Sequence, residues 1–168
     1  MSVFETSRLI LRELTPADAA FVQELVNEPA WLQFIGDRGV RTLADAEGYI
    51  RKGPMASYAQ HGFGLWCVAR QADGVPLGMC GLLKRETLPD VDIGFAFLER
   101  FRGQGYAAES AGATLGHARH KLGLKRVLAI TSPGNTASIR LLGKLGLRFE
   151  KMFELKPGDP VRLFAIEF

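Results

Sequence analysis

The spacing of apolar residues divides the chain into strand-like and helix-like stretches. Arg8-Leu9-Ile10-Leu11-Arg12-Glu13-Leu14 alternates as a strand does, and Thr15-Pro16-Ala17-Asp18 predicts a helix start behind it. Thr15 suits the N-cap, Pro16 the first turn and Asp18 the reciprocal capping position, where side chains satisfy otherwise unpaired groups. Phe21, Val22, Leu25 and Val26 supply the apolar stripe of that helix. A second helical stretch begins near Thr42, and Gly53-Pro54 is expected to interrupt it, since proline brings no N–H and clashes with the preceding turn. Phe63 to Arg70 and Pro76 to Leu83 read as strands joined by a two-residue turn at Asp73-Gly74, a register that sets Cys67 opposite Cys80. Val91 to Leu98 is a third strand, apolar on both faces.

Helical spacing returns from Gln104, with Ala107, Ala111, Leu115, Ala118 and Leu122 in register. Gly112 and Gly116 weaken that helix, which implies close approach to a sheet. Arg126 to Thr131 is a short buried strand. A last helix starts near Asn135, turns Ile139, Leu142 and Leu145 inward, and stops at Gly146. Leu147 to Phe153 and Val161 to Phe168 close the chain as strands. The order β-α-α-β-β-β-α-β-α-β-β predicts an α/β fold with a mixed sheet, in which only the middle β-α-β crossover needs to be parallel. With 168 residues and no linker, a single domain over 1–168 is expected.

Composition narrows the function classes. No apolar run approaches the roughly 20 residues of a membrane span, and no leader pattern opens the chain, so a cytoplasmic protein without membrane association is expected. The two cysteines, Cys67 and Cys80, read as a reduced buried pair, and no His or Cys cluster suggests a metal. His117 and His120 fall on the polar face of the long helix, while His61 sits in a loop facing either solvent or a cleft. Between Arg100 and Arg148 there are nine basic residues and one acid, Glu109, against twelve basic and seventeen acidic residues elsewhere. That division is either a solvated basic face or the mark of a polyanionic ligand in one half and a cationic substrate in the other. Basic patches are not interleaved with stacking aromatics, so nucleic acid is not an expected partner.

The strongest local signal is Arg100-Phe101-Arg102-Gly103-Gln104-Gly105-Tyr106-Ala107-Ala108, between a strand and a helix. Glycines let the backbone curl close to a ligand, and the helix that follows points unpaired N–H groups and its positive dipole end at the same spot. Together they suit a pyrophosphate. Gly103-x-Gly105-x-x-Ala108 also matches a dinucleotide-binding fingerprint. That fold wants an acid about 20 residues later, and none occurs between Glu109 and Glu150. Arg126 would suit a 2′-phosphate instead, but the loop follows a strand hairpin and only one β-α-β unit exists.

Arg100-x-x-Gly103-x-Gly105 resembles the Q/R-x-x-G-x-G/A motif of the GNAT superfamily of N-acetyltransferases, and the likeness runs over essentially the whole chain. Glu5-Thr6-Ser7-Arg8-Leu9-Ile10-Leu11-Arg12 resembles the opening of the subgroup containing ribosomal-protein-alanine N-acetyltransferases. Asp92-Ile93-Gly94-Phe95 resembles its central strand, Gly105-Tyr106-Ala107-Ala108-Glu109 its helix start, and Asn135-Thr136-Ala137-Ser138-Ile139 the start of its last helix. The resemblance implies a mostly antiparallel mixed sheet, flanked by helices, with a V-shaped splay between the strands at Val91–Leu98 and Arg126–Thr131. It implies acetyl-coenzyme A in that V as cosubstrate, no metal, a primary amine as acceptor (a protein N-terminus or a small molecule) and, by analogy, a homodimer. Phe95, Ala96, Phe97 and Leu98 would pair with the pantetheine arm like an added strand. Gly103, Gln104, Gly105, Tyr106 and Ala107 would hold the pyrophosphate with Arg100 and Arg102 nearby, and Asn135 would bond the pantetheine.

Direct acetyl transfer needs a base for the ammonium, donors for the oxyanion and an acid for the departing thiolate, but no enzyme nucleophile. Many GNAT enzymes carry a tyrosine seven residues after the Asn as that acid; here the position is Leu142. Ser138, three residues after Asn135, is the candidate by resemblance to the subgroup, and it also counts among the cofactor contacts. Asp92 is the candidate base. Alternatives are a backbone carbonyl with water, or an acid of the Phe153–Pro160 loop, Glu154 or Asp159. Trp31, Phe34 and Tyr49 are candidates for the acceptor pocket, which should lie between the first two helices and the last strand pair. The missing tyrosine leaves a second class open, a catalytically silent module that senses acetyl-coenzyme A.

Overall fold

A computed structural model describes residues 2–168. Eight strands form one sheet in the order β1-β2-β3-β4-β5-β6-β8-β7. They are β1 (Ser2–Glu5), β2 (Leu9–Arg12), β3 (Leu65–Arg70), β4 (Pro76–Leu83), β5 (Asp92–Phe97), β6 (Arg126–Thr131), β7 (Arg148–Lys156) and β8 (Asp159–Glu167). Every neighbouring pair is antiparallel except β5 with β6, which a long crossover connection lets run parallel. This is the mixed α/β sheet that the element order implies.

Six α-helices cover the sheet: α1 (Ala19–Val26), α2 (Pro29–Phe34), α3 (Leu43–Ile50), α4 (Ala56–His61), α5 (Tyr106–His120) and α6 (Thr136–Lys144). On one face Ala111, Leu115 and Ala118 of α5 and Leu142 of α6 pack on Trp66, Val68, Cys80, Ile93 and Phe97. On the other, Val22, Leu25, Ala46 and Ile50 pack on Cys67, Ala69, Met79 and Leu98. The odd and even residues of β5 thus serve two different cores, which explains why that strand is apolar on both sides. The chain packs tightly where β3 meets β4: a Cβ on Gly81 would sit 2.0 Å from the Gly64 carbonyl oxygen.

Several local expectations need correction. Arg70 and Pro76 end the β3–β4 ladder, so five residues rather than two make the turn, and a bulge lies between Val68 and Ala69. Cys67 therefore faces Met79, and Cys80 faces Trp66; a one-residue slip puts the two thiols on opposite sides of the sheet. Gly53-Pro54 does not break the helix. Residues Arg51–Met55 form a wider, π-type turn that carries α3 into α4, because the shifted register removes the need for a proline N–H. The chain also begins with β1, and α2 stands as a separate helix that Pro29 opens at its first turn. Both elements are too short to show a period. The Phe153–Pro160 segment is mostly strand, with Pro157 and Gly158 alone between β7 and β8. Among the described residues no helix is long and apolar enough to cross a membrane.

Candidate active site

The sheet is continuous in order but nearly divided in its middle. β5 and β6 share one paired position, Asp92 with Leu128, beside a bond from Leu128 N–H to the Val91 carbonyl (2.9 Å). Each half keeps its own antiparallel ladder, so the strands separate without breaking one. Leu98 N–H is bonded to the Leu77 carbonyl (3.0 Å). The alternation of an antiparallel ladder then turns the peptide groups of Ile93, Phe95 and Phe97 toward the gap. Arg102 Nε takes the Phe97 carbonyl (3.0 Å). What remains is a short exposed strand edge, ready for an extended ligand.

At the end of that edge lies the glycine loop. Gly103 and Gly105 both have positive φ, 76° and 84°, where a Cβ is disfavoured. The first bond of α5 runs from Glu109 N–H to the Gly105 carbonyl (3.0 Å), leaving the N–H groups of Tyr106, Ala107 and Ala108 without backbone partners. The loop is clamped from outside. Glu109 accepts from the Thr6 hydroxyl, from Arg8 N–H (3.0 Å) and from Arg8 Nε (2.7 Å), while Arg8 Nη1 donates to the Gln104 carbonyl (2.9 Å). Arg8 also lies over the Tyr106 ring, 4.5 Å from its centre. Burial would raise the Glu109 pKa, but the bonds from Thr6 and Arg8 outweigh it and hold the carboxyl below its ordinary value. The motifs at Glu5–Arg8 and Gly105–Glu109 are therefore two sides of one contact.

Two clefts open from the gap. One, of about 400 Å³, runs along Phe95–Phe97 to Arg102, Gly103 and Gly105–Ala108. The other, of about 350 Å³, lies between α2, Tyr49, Asp92 and the start of β8. They meet at Trp31, Phe34, Phe95, Ala96, Asn135 and Ser138, which line both. Asn135 Oδ1 accepts from Ser138 N–H (3.3 Å), so it caps α6, and Ser132 Oγ donates to the Phe34 carbonyl (2.8 Å), tying that loop to α2. Two buried polar atoms of cleft-lining residues, Trp31 Nε1 and Thr131 Oγ1, have no partner.

Asp92 lies in the second cleft with only 1% of its surface exposed. Arg85 Nε reaches both of its oxygens, at 3.2 and 3.3 Å. Burial pushes the carboxyl up to about 6, against the pull of Arg85. A group with that value changes charge just below neutrality, as a proton acceptor for an ammonium should.

The remaining sequence candidates are placed as follows. Trp31, Phe34 and Tyr49 line the second cleft, as does Asp159, whereas Glu154 is exposed on β7 and does not. Arg100 pairs with Glu24 of α1 and does not line either cleft. Arg102 lines the first cleft, although it also pairs with Glu28 (3.2 Å). Leu98 is buried with its N–H committed to β4, and Gln104 meets the loop through its carbonyl rather than lining the cleft. His61 stacks on Phe63 at the end of α4. His117 is not solvated as expected: it is half-buried, stacked on Phe4 and edge-on to Trp66, because β1 covers that face of α5. Burial pushes the thiols up, Cys67 to about 12 and Cys80 to about 11, so neither is an anionic nucleophile at neutral pH. Sequence reasoning missed Arg85 and Arg38. Both sit in irregular segments, where no period marks which way a side chain faces.

Comparison with known proteins bears on the family and the fold. Residues 8–148 match a family model described as an acetyltransferase (GNAT) domain. The uncharacterized Bacillus subtilis protein YkkB is 34% identical over 106 residues, 62% of this chain and 61% of that protein, so the match spans just under two thirds of its length. The uncharacterized N-acetyltransferase YnaD of the same organism is 28% identical over 149 residues, covering 89% of this chain and 84% of YnaD. Among solved structures, the ribosomal L7/L12 alpha-N-protein acetyltransferase RimL in complex with coenzyme A shares the fold, with a TM-score of 0.84 over 100% of this chain and 98% of that one at 19% identity.

Proposed function

The chain belongs to the GNAT family of acetyltransferases, and on that premise we propose that it moves an acetyl group directly from acetyl-coenzyme A to a primary amine where its two clefts meet. The observation that carries this reading is the shared wall. Asn135 and Ser138 border both the cleft with the glycine loop and the cleft with Asp92, so a donor in one and an acceptor in the other face each other there.

The residues present fit coenzyme A. Left-handed glycines and unpaired N–H groups make a cradle for the pyrophosphate at Gly103–Ala108, with Arg102 beside it. The free peptide groups of Phe95 and the N–H of Phe97 suit the amides of the pantetheine arm, and Ala96 lines the cleft between them. RimL, which shares this fold, is seen with coenzyme A. Acetyl-coenzyme A brings the acetyl group as a thioester, already activated toward an amine.

Asp92 is the proton acceptor in this reading: it removes the ammonium proton, and the free nitrogen then bonds the acyl carbon as the carbon–sulfur bond breaks. The Ser138 hydroxyl gives its proton to the sulfur and regains one from the nitrogen, which sheds its second proton as the amide forms. Trp31, Phe34 and Tyr49 exclude water around the nitrogen, which keeps the acetyl group from hydrolysis. Alignment of the two reactants supplies much of the acceleration.

The test is free thiol release from acetyl-coenzyme A against a panel of short peptides, polyamines, amino sugars and amino acids. Turnover with at least one amine, and a drop of about 10- to 100-fold in kcat for Ser138→Ala with unchanged coenzyme A affinity, is expected. Unchanged turnover in Ser138→Ala would remove the serine from the mechanism. Tight coenzyme A binding with no thiol release on any amine would point to a sensor instead.

A further inference from the structure

The acceptor cleft holds more positive charge than an amine needs. Arg38 lines it and has no carboxylate within ion-pair distance among the described residues. Its acidic neighbours are engaged elsewhere, Asp37 with Arg41 and Asp45 with the backbone of Arg41 and Thr42. Arg85 lines the same cleft and spends only its Nε on Asp92, which leaves both of its Nη groups free among the described residues. Tyr49 lines the same cleft. Burial raises the Tyr49 pKa, so the hydroxyl stays protonated and available as a donor.

Two guanidinium groups and a phenol lining one cleft make an anion site, of which Asp92 takes up only the Arg85 Nε. The same cleft also carries the opposite charge, at Asp92 and at Asp159 of β8. The cleft thus offers both signs of charge, Asp92 and Asp159 for an ammonium and Arg38 with the Nη groups of Arg85 for an anion. A polyamine would set its second ammonium against Arg38 and Arg85. A molecule with an ammonium at one end and a carboxylate at the other would meet opposite charge at both.

We propose that the acceptor is an amine that carries a carboxylate, held by Arg38, the free Nη groups of Arg85 and the Tyr49 hydroxyl while its nitrogen faces Asp92. The proposal rests on reading this cleft as the acceptor site. The same chemistry is offered by a free amino acid-like molecule and by a peptide whose first side chain is acidic. A cleft of about 350 Å³ suits the free molecule.

The experiment compares matched acceptors in the thiol-release assay: amino acids of different chain length, their carboxamides, and peptides beginning with an acidic or a neutral residue. A carboxylate preference of about 10-fold or more in kcat/KM is expected, reduced to within about 3-fold in Arg38→Gln through a rise in KM, and partly restored in Arg38→Lys. A preference for the free amino acids over the acidic peptides identifies a small-molecule acceptor, and the reverse overturns that choice of source. Equal rates for carboxylate and carboxamide, or a preference that survives in Arg38→Gln, would overturn the proposal while leaving acetyl transfer intact. Calorimetric titration of the same pairs in the presence of coenzyme A reads the site without turnover. Carboxylate-selective binding that Arg38→Gln abolishes, in a protein that acetylates nothing, would refute the transfer reading and keep this one.

Discussion

Asp92 shows how one side chain's surroundings set its chemistry. An aspartate on a strand is ordinarily solvated and ionised far below neutral pH. Here the carboxyl is buried beside a single, partly exposed guanidinium, and burial wins: its pKa rises from 3.8 to about 6. Between those two values the folded state holds a proton that the unfolded state has released, so stability falls as pH rises across that window. Asp92→Asn should flatten the pH dependence of thermal unfolding over the window and leave the protein at least as stable at neutral pH. Arg85, about a third exposed, keeps its hydration when the partner charge is removed. The same substitution should lower kcat by about 10²- to 10⁴-fold and erase the acidic limb of the kcat/KM profile near pH 6. A mutant profile that superimposes on the parent's would exclude Asp92 as the base.

At the scale of elements, the turn between β1 and β2 works as a brace for the start of α5. Glu109 gathers three donors from Thr6 and Arg8, and Arg8 in turn holds the Gln104 carbonyl, so the glycine loop is fixed before any ligand arrives. Pre-organised N–H groups bind an anion without the entropy loss of ordering a loop. Glu109 keeps its charge to lower pH than an ordinary glutamate, so this stabilisation is present above 4.5 and is lost as pH falls through its depressed value. Glu109→Gln should cost about 1–3 kcal/mol of stability at neutral pH, seen as a drop of several degrees in Tm. It should also weaken coenzyme A about 3- to 10-fold, measured by titration, while leaving the acceptor's KM in place. Equal weakening of donor and acceptor would mean that the brace supports the fold in general rather than the loop.

For the whole molecule, the decisive feature is a sheet built as two ladders joined at one position. β1 to β5 and β6 to β8 each satisfy their own pairing, and the single contact at Asp92 leaves the far side of β5 unpaired along the gap. Exposed peptide groups in a strand exchange their hydrogens quickly, whereas those in the β4–β5 ladder do not. In the free protein the amides of Phe95 and Phe97 should exchange much faster than those of Gly94 and Ala96, and coenzyme A should slow the first pair selectively. Amide exchange followed by NMR with and without coenzyme A checks this. Protection of Phe95 and Phe97 without ligand would mean that the gap closes in solution.

The sequence by itself determined most of the architecture. Periodicity in a long helix such as α5, or in a strand that is apolar on both faces such as β5, is a local record of burial and needs no distant partner to be read. The glycine loop was legible for the same reason, since backbone conformation and helix polarity are local properties. Only the tertiary structure decided the rest. A bulge at Val68 moved Cys67 and Cys80 to opposite faces, and a widened turn let Pro54 pass through a helix. Folding also brought together charges far apart in the chain: Arg8 with Glu109, and Arg38 and Arg85 into one cleft with Asp92. Long-range electrostatics leaves no period along the chain. Which charges meet, and which are left free for a ligand, is fixed only when the sheet and its helices close around them.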